Sequence, residues 1–380
     1  MNTSSRWFRF NVWLHRWSSL VATLPFLVLC LTGTVLIFHE EIDDAMGVVP
    51  TVQADAAHTP QPISQAVANV LAAHPGERVL SIGIDAEHHP GVLLVITGDA
   101  VAQSFDGAKL RYADLSTAQA IGDPEASQTT LTGFLLELHA QWFIGLAGEL
   151  IGALIALLVL LSLLSGLVVY APYVKRVLFG VLRRGRGPRL LQLDLHNFIG
   201  AVVLGWALVV TLTGFLLGFG TVATGIWQMQ ELSAFRAQAQ GQAVDVLQPP
   251  VDIDRAMASA LTTTEAGWRV LSAIWPGTDF STPRHYTVLL GGREGLDERL
   301  FRAALIDAQD GSVAAARELP VYLKAIVLSE PLHFGDYGGL ALKLLWTACT
   351  WLTLFITANG AWLWWNRRRK RLPVAAEVLA

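Results

Sequence analysis

Four Leu-His dipeptides, Leu14-His15, Leu138-His139, Leu195-His196 and Leu332-His333, are the residues here whose type and spacing could do chemistry. Each opens a long apolar stretch. An imidazole in or beside such a stretch costs free energy unless it has a partner, which makes these histidines functional candidates. The plainer reading is a ring that bonds a lipid headgroup or a carbonyl, and the spacing weighs against it. His15 to Gly33 is 18 residues and so is His196 to Gly214, while His139 to Gly166 and His333 to Gly360 are both 27. Two histidines per level, with no cysteine and no nearby carboxylate pair, do not complete a four-ligand zinc site. They do suffice for the two axial positions of a haem iron, supplied by facing helices of a bundle. Bis-histidine ligation leaves no open iron position, which suits electron transfer better than oxygen or peroxide chemistry.

The elements that must position these rings are membrane spans. The chain has 380 residues, 53% hydrophobic and only 15% charged, a balance too apolar for an ordinary soluble protein. Stretches free of Asp, Glu, Lys and Arg run over 17–39, 150–174, 195–230 and 344–366. Each is long enough to cross about 30 Å of hydrocarbon as a helix. Residues 1–17, 173–194 and 366–380 hold 14 of the 27 cations but only Asp194 and Glu377 of the 31 acids. Short cationic flanks stay cytoplasmic, so both termini are expected inside. Segments 40–138 and 231–332 then face outward, which in a bacterial inner membrane is the periplasm.

The expected order is a cytoplasmic N-terminus with the first span (1–39), outward domain one (40–138), the second span (139–174), and a basic cytoplasmic loop (175–194). The third span (195–230), outward domain two (231–332), the fourth span (333–366) and a basic tail (367–380) follow. The first span is read as retained rather than as a cleaved leader, since no small-x-small site follows closely. Cys30 and Cys349 fall inside spans and are read as packing residues; with no Cys-x-x-Cys-His, a haem would be held without covalent attachment.

The two halves repeat. Spans one and three both carry Leu-Thr-Gly, and the outward segments share Arg-Val-Leu-Ser at 78–81 and 269–272. Each outward segment reads as a small helix and three alternating strands with an Asp-Gly turn, at Asp106-Gly107 and Asp310-Gly311. A duplicated pair of spans keeps both halves in one orientation and relates them by a pseudo-two-fold axis along the membrane normal. That sets His15 opposite His196 near the cytoplasmic face and His139 opposite His333 on the other side. His139 and His333 each lie 11 residues before their apolar runs, roughly 16 Å outside them on a straight helix. Gly145 and Gly148 in one half, and Gly335, Gly338 and Gly339 in the other, are where the helix could break and bring them inward. His39, without a symmetric mate, is the second-ranked ligand. His58, His74, His88, His89 and His285 read as solvated surface residues.

A transporter is the competing class. Proton and cation pathways carry acids or soft ligands within spans, and these stretches contain no acid. A permease, or a ligand sensor without haem, stays open, as does a haem carrier for another periplasmic acceptor.

The Leu-His openings, the Leu-Thr-Gly ends and the outward helix-plus-strand units resemble the PepSY-associated transmembrane family, from about Trp13 to Arg371. Within it the chain looks most like inner-membrane ferric-siderophore reductases, including those acting on ferrioxamine. The resemblance implies a mainly α membrane protein: a four-helix transmembrane bundle with an internal two-fold repeat, plus two periplasmic α+β PepSY-like domains. It implies two non-covalent, bis-histidine haem b groups on His15, His139, His196 and His333, and a ferric siderophore as periplasmic substrate. Gly185-Arg-Gly187 follows no strand and no dinucleotide fingerprint is present. The electron donor is therefore expected to be a cytoplasmic partner, free reduced flavin or quinone. Besides the lipid bilayer no further partner is implied, and nothing points to nucleic acid.

Overall fold

The computed structural model describes residues 5–52, 61–86, 89–122, 130–174, 179–239, 242–292 and 300–369; His58, His88 and the end of the basic tail lie outside them. The chain forms two compact units. The first is built on four helices long and apolar enough to cross a membrane: α1 (Arg6–Leu36), α5 (Leu146–Val174), α6 (Pro188–Leu217) and α11 (Gly339–Arg369). Between the first two lie α2 (His39–Met46), α3 (Ile63–Ala73) and α4 (Leu131–Gln141). Between the last two lie α7 (Gly220–Trp227), α8 (Ser233–Gln238), α9 (Ile253–Leu261) and α10 (Val321–Phe334).

In the helical unit α1 packs on α5 and α11, and α6 packs on the same two, so α1 and α6 stand diagonally across a four-helix ring. Inward positions are small or hydroxylic: Ser18, Ala22, Thr32, Ala153, Ser165, Ala207 and Thr213 are buried. Small side chains let helices approach closely where no hydrophobic effect drives them together. Their hydroxyls are satisfied within the helix, as when Ser18 donates to the Leu14 carbonyl and Ser165 to Leu161. Val21, Leu24 and Leu31 of α1, Leu154 and Leu164 of α5, Val202 and Leu212 of α6, and Leu344 and Leu345 of α11 are exposed. Apolar faces of that extent are stable against lipid, not water.

The turn between α5 and α6 explains why one acid stands among the cations of 173–194. The Asp194 carboxylate is buried and accepts from Arg183 N (2.9 Å), Nε (2.9 Å) and Nη2 (2.5 Å) and from the Tyr173 hydroxyl (2.5 Å). It closes the turn before Pro188 starts α6 at its first position, where a missing N–H costs nothing.

Several boundaries differ from those read in the sequence. The third stretch does not continue to residue 230, because α6 ends at Leu217 and residues from Gly220 belong to the second unit. Freedom from charge marks apolarity, not helix continuity. His15 and His196 sit within α1 and α6 rather than opening them, and His139 and His333 lie on the short helices α4 and α10 instead of on the spans.

The second unit carries strands β1 (Glu77–Ile84), β2 (Val92–Asp99), β3 (Lys109–Asp114), β4 (Ala120–Ile121), β5 (Arg269–Ile274), β6 (His285–Gly291), β7 (Arg302–Asp307) and β8 (Val313–Glu318). Two separate three-stranded units are the sequence expectation. The structure instead has four strands in each half and joins them into one antiparallel sheet of order β4-β3-β2-β1-β5-β6-β7-β8. The outer strand β4, at two residues, is too brief to show periodicity, β8 is exposed along nearly its whole length and shows no alternation, and the joint between halves is a main-chain pairing that side-chain pattern does not encode. At that joint Ser81 faces Ile274, Ile82 faces Ala273 and Gly83 faces Ser272. Both shared Arg-Val-Leu-Ser segments carry a bulge at the same point, between Val79 and Ser81 and between Val270 and Ser272. Helices α3 and α9 touch and cover the sheet over a core that includes Val70, Val79, Ile82, Ala256, Tyr286 and Ile306. The Asp254 carboxylate of the second half accepts from the Ile63 and Ser64 amides (2.8 and 3.0 Å), capping α3 of the first.

Glu77 ties three strands. Its carboxylate accepts from Thr97 (2.6 Å), Lys109 (2.9 Å) and Arg111 (2.8 Å). Burial alone would raise its pKa, but the hydrogen bonds from Arg111, Thr97 and Lys109 outweigh it and hold the carboxyl down at about 2, against an ordinary 4.5. A depressed folded-state pKa gives stability that is fully present above the ordinary value and lost as pH falls toward the folded one. Glu77→Gln is expected to cost about 1.5–3 kcal/mol at neutral pH. Thermal unfolding followed against pH should show the gap between variant and parent closing as pH falls from 4.5 to about 2. A gap that stays constant over that range would contradict the assignment.

Candidate functional site

The four histidines meet in two pairs within the helical unit. His15 of α1 and His196 of α6 face one another across the diagonal of the ring, with ring centroids 6.4 Å apart and planes at 72°. His139 of α4 and His333 of α10 are 6.2 Å apart at 67°.

The second pair reaches the bundle because the chain breaks after each of its short helices. After α4, Trp142, Phe143 and Gly145 have φ of 51°, 58° and 58°, the left-handed region that non-glycine residues rarely adopt. A Cβ on Gly148 would lie 1.6 Å from the Gln141 carbonyl oxygen, so only glycine lets α5 start against the end of α4. After α10, Gly335 and Gly339 have φ of 72° and 61°. These turns set His139 against Gly33 and His333 against Gly214. Each glycine lies 18 residues beyond the first-pair histidine on its own helix, so the two pairs are about 27 Å apart along the bundle at 1.5 Å per residue.

All four rings are held by the same construction. His15 Nδ1 is 2.8 Å from the Ser162 carbonyl, and His196 Nδ1 is 3.2 Å from the Ile356 carbonyl. His333 Nδ1 is 2.9 Å from the Val210 carbonyl and 3.2 Å from Thr213 Oγ1. His139 Nδ1 is 2.7 Å from Thr32 Oγ1. Thr32 and Thr213 donate their single hydroxyl hydrogens to carbonyls of their own helices, Val28 and Val209. Every partner is thus an acceptor, so each Nδ1 carries the proton and each Nε2 keeps its lone pair. One edge of each ring rests on a glycine: a Cβ on Gly166, Gly33, Gly360 or Gly214 would lie 3.1, 3.2, 3.3 or 2.8 Å from Cε1 of His15, His139, His196 or His333 respectively.

Two neutral imidazoles whose Nε2 atoms both keep a lone pair have no hydrogen bond to exchange, since both are acceptors. They can share one metal ion. With metal–nitrogen bonds of about 2.0 Å and about 1 Å from nitrogen to ring centre, the centroids of two axial imidazoles lie about 6 Å apart. Among the described residues no group of three or more His, Cys, Asp or Glu could hold a metal, so each pair supplies two ligands only. Carbonyl-bound Nδ1 groups are the second shell that fixes ring orientation and tautomer in such sites. Three indole N–H groups, of Trp142, Trp206 and Trp346, are also buried without an acceptor. Trp206 and Trp346 stack edge to face at 6.4 Å.

His39 joins neither pair. Its Nδ1 bonds the Leu36 carbonyl (2.9 Å) at the start of α2, and its ring lies against Phe334. His74 and His89 are half-buried. His285, expected on the surface, is buried and bonds Thr282 Oγ1 through Nδ1 (2.7 Å). It opens β6, whose inner position alternation alone did not reveal. The hydroxyls of Thr32 and Thr213 and the carbonyls of Ser162 and Ile356 were invisible to a reading by residue type. One signal could have found them: Thr32 and Thr213 are 181 residues apart, as are His15 and His196, while Ser162 and Ile356 are 194 apart, as are His139 and His333.

The chain is 27% identical over 257 residues to an uncharacterized protein of Pseudomonas aeruginosa, an alignment covering 62% of this chain and 63% of that relative. The match therefore spans less than two thirds of the relative's length. Residues 12–367 match the family described as the PepSY-associated TM region. With four helices able to cross a membrane and a match over nearly its whole length, the chain belongs to the PepSY-associated transmembrane family.

Proposed function

We propose that this protein is a di-haem b-type electron-transfer protein of a bacterial inner membrane that reduces ferric siderophores on the periplasmic side. The observation that carries the reading is the pair of facing imidazole couples, each 6.2–6.4 Å between centroids with Nδ1 committed to an acceptor. Haem bound at each level would supply one-electron chemistry. The chain's own residues would hold it from both sides, fix the imidazole tautomers and keep oxygen from reaching it. The unpaired indole N–H groups of Trp142, Trp206 and Trp346 suit a ligand with carboxylates, because a buried donor left without an acceptor costs about 1–3 kcal/mol.

The matched offsets, the shared bulges and the exchange of partners about the Ile82–Ala273 pair support an internal duplication with a pseudo-two-fold axis. The cationic flanks support N-in, C-in topology, with segments 40–138 and 231–332 in the periplasm. One electron from a cytoplasmic donor, reduced flavin or quinone would leave each ferric ion ferrous and weakly held by its siderophore.

The test is spectroscopic. Protein purified in detergent from haem-sufficient cells should show a Soret band and about two non-covalent haems per chain. With haem held between them, imidazole planes crossed at 72° and 67° would leave the two iron orbitals that overlap the imidazole π systems nearly degenerate. The ferric protein should then give a strongly anisotropic low-spin EPR signal. Colourless protein would overturn the reading in favour of a permease or a ligand sensor; haem-bearing protein that reduces no ferric siderophore would favour another periplasmic acceptor.

A further inference from the structure

A buried cation in the sheet unit has only main-chain acceptors among the described residues. Arg78 is 2% exposed. Its Nη1 donates to the Ala102 carbonyl (3.1 Å) and its Nη2 to the Pro276 carbonyl (2.5 Å), while Nε has no acceptor. The adjacent carboxylate, Glu77, is already committed to Thr97, Lys109 and Arg111. Two cations thus already satisfy that acid, and a guanidinium out of water without a counter-charge is costly by several kcal/mol. Packing does not require it, since an aliphatic residue would fill the same place in a strand.

Arg78 lines a cavity of about 210 Å³ whose other walls include Leu71, Glu77, Val79, Val246, Leu247 and Trp275; the Glu77 carboxylate in that wall is already neutralised by Lys109 and Arg111. At about 30 Å³ per water the space is worth roughly seven waters, enough for a small organic acid and too small for an iron chelate. Gly277, with φ of 77°, brings the backbone close to the guanidinium; a Cβ there would lie 3.0 Å from Val246 and 3.5 Å from Arg78 Nη1. One planar cation beside apolar walls selects an anion with an apolar body rather than a compact hydrated one such as phosphate. Arg269, at the same point of the second Arg-Val-Leu-Ser, is only half-buried, so the first half carries the arrangement.

We infer that this cavity binds a small monocarboxylate, its carboxylate on Arg78 and its apolar body against Val246, Leu247 and Trp275. The site is independent of any cofactor in the helical unit.

Equilibrium dialysis of the full chain in detergent against radiolabelled benzoate, at constant ionic strength, tests the inference. One saturable site per chain is expected, displaced by unlabelled benzoate and not by benzamide, which has the same shape without the charge. Arg78→Gln should abolish binding. Because that variant could fail to fold, Val246→Trp, which fills the cavity and leaves Arg78 in place, is the second arm and should also abolish it. No saturable binding, equal displacement by benzamide, or full binding to folded Val246→Trp would each overturn the inference.

Discussion

Replacing His196 by alanine is expected to remove about half of the bound haem while leaving the chain folded and inserted. On the proposed reading its ring would be one of two that hold the haem at its level, facing His15 at 6.4 Å, and one imidazole alone would hold a b-type group far less firmly than two. The other level is built from α4 and α10 against Gly33 and Gly214 and shares no ligand with it. Haem per chain should therefore fall roughly twofold in His196→Ala. The double variant His15→Ala/His196→Ala should lose no more than the single one, since residues acting as a unit are not additive. His196→Ala/His333→Ala should lose nearly all. Pyridine haemochrome analysis against protein concentration reads these ratios. Full occupancy in the single variant would mean that His196 is not a ligand.

Gly214→Leu should empty the other level without touching a ligand. A Cβ at this position would lie 2.8 Å from His333 Cε1, and a leucine adds three more carbons to that clash. The ring cannot retreat while its Nδ1 stays on the Val210 carbonyl and Thr213, so the imidazole must leave the position from which it would hold the haem. Loss of orienting contacts around a metal ligand commonly costs about 10–100-fold in affinity, and a displaced ring should cost at least that. Gly205 is the control: it lies on the same helix with nothing near its would-be Cβ, and Gly205→Leu should keep normal haem content. Equal loss in both variants would point to general damage to α6 rather than to the histidine.

Much of the helical unit was legible because lipid imposes a strict rule. A chain crossing hydrocarbon must be helical and apolar for about 20 residues, and that leaves a mark no soluble helix shares. The histidine pairs were legible through repetition: equal spacings of 18 and 27 residues link His15 and His196, His139 and His333, each to its glycine. What those glycines do was not. They read as markers of a repeat, whereas in the structure each is the flat seat of a histidine from the neighbouring helix. The end of α6 was misjudged because Gly218, Gly220 and the residues to Gln230 are uncharged yet lie beyond the helix. The union of the two sheets was illegible for a different reason. The β1–β5 joint uses peptide groups common to every residue, and only three residue pairs form it.

That short joint bears on how the chain is made. The inner edge of β1 is covered only when residues 269–274 arrive, 185 residues after β1 ends at Ile84. At about 5–20 residues per second a ribosome needs roughly 10–40 s for that length. During this interval the newborn first half presents a bare strand margin and an uncapped α3, the kind of surface on which nascent chains stick to one another. Severing the gene at its midpoint should therefore yield two fragments that aggregate when extracted in detergent, and their co-expression should rescue both.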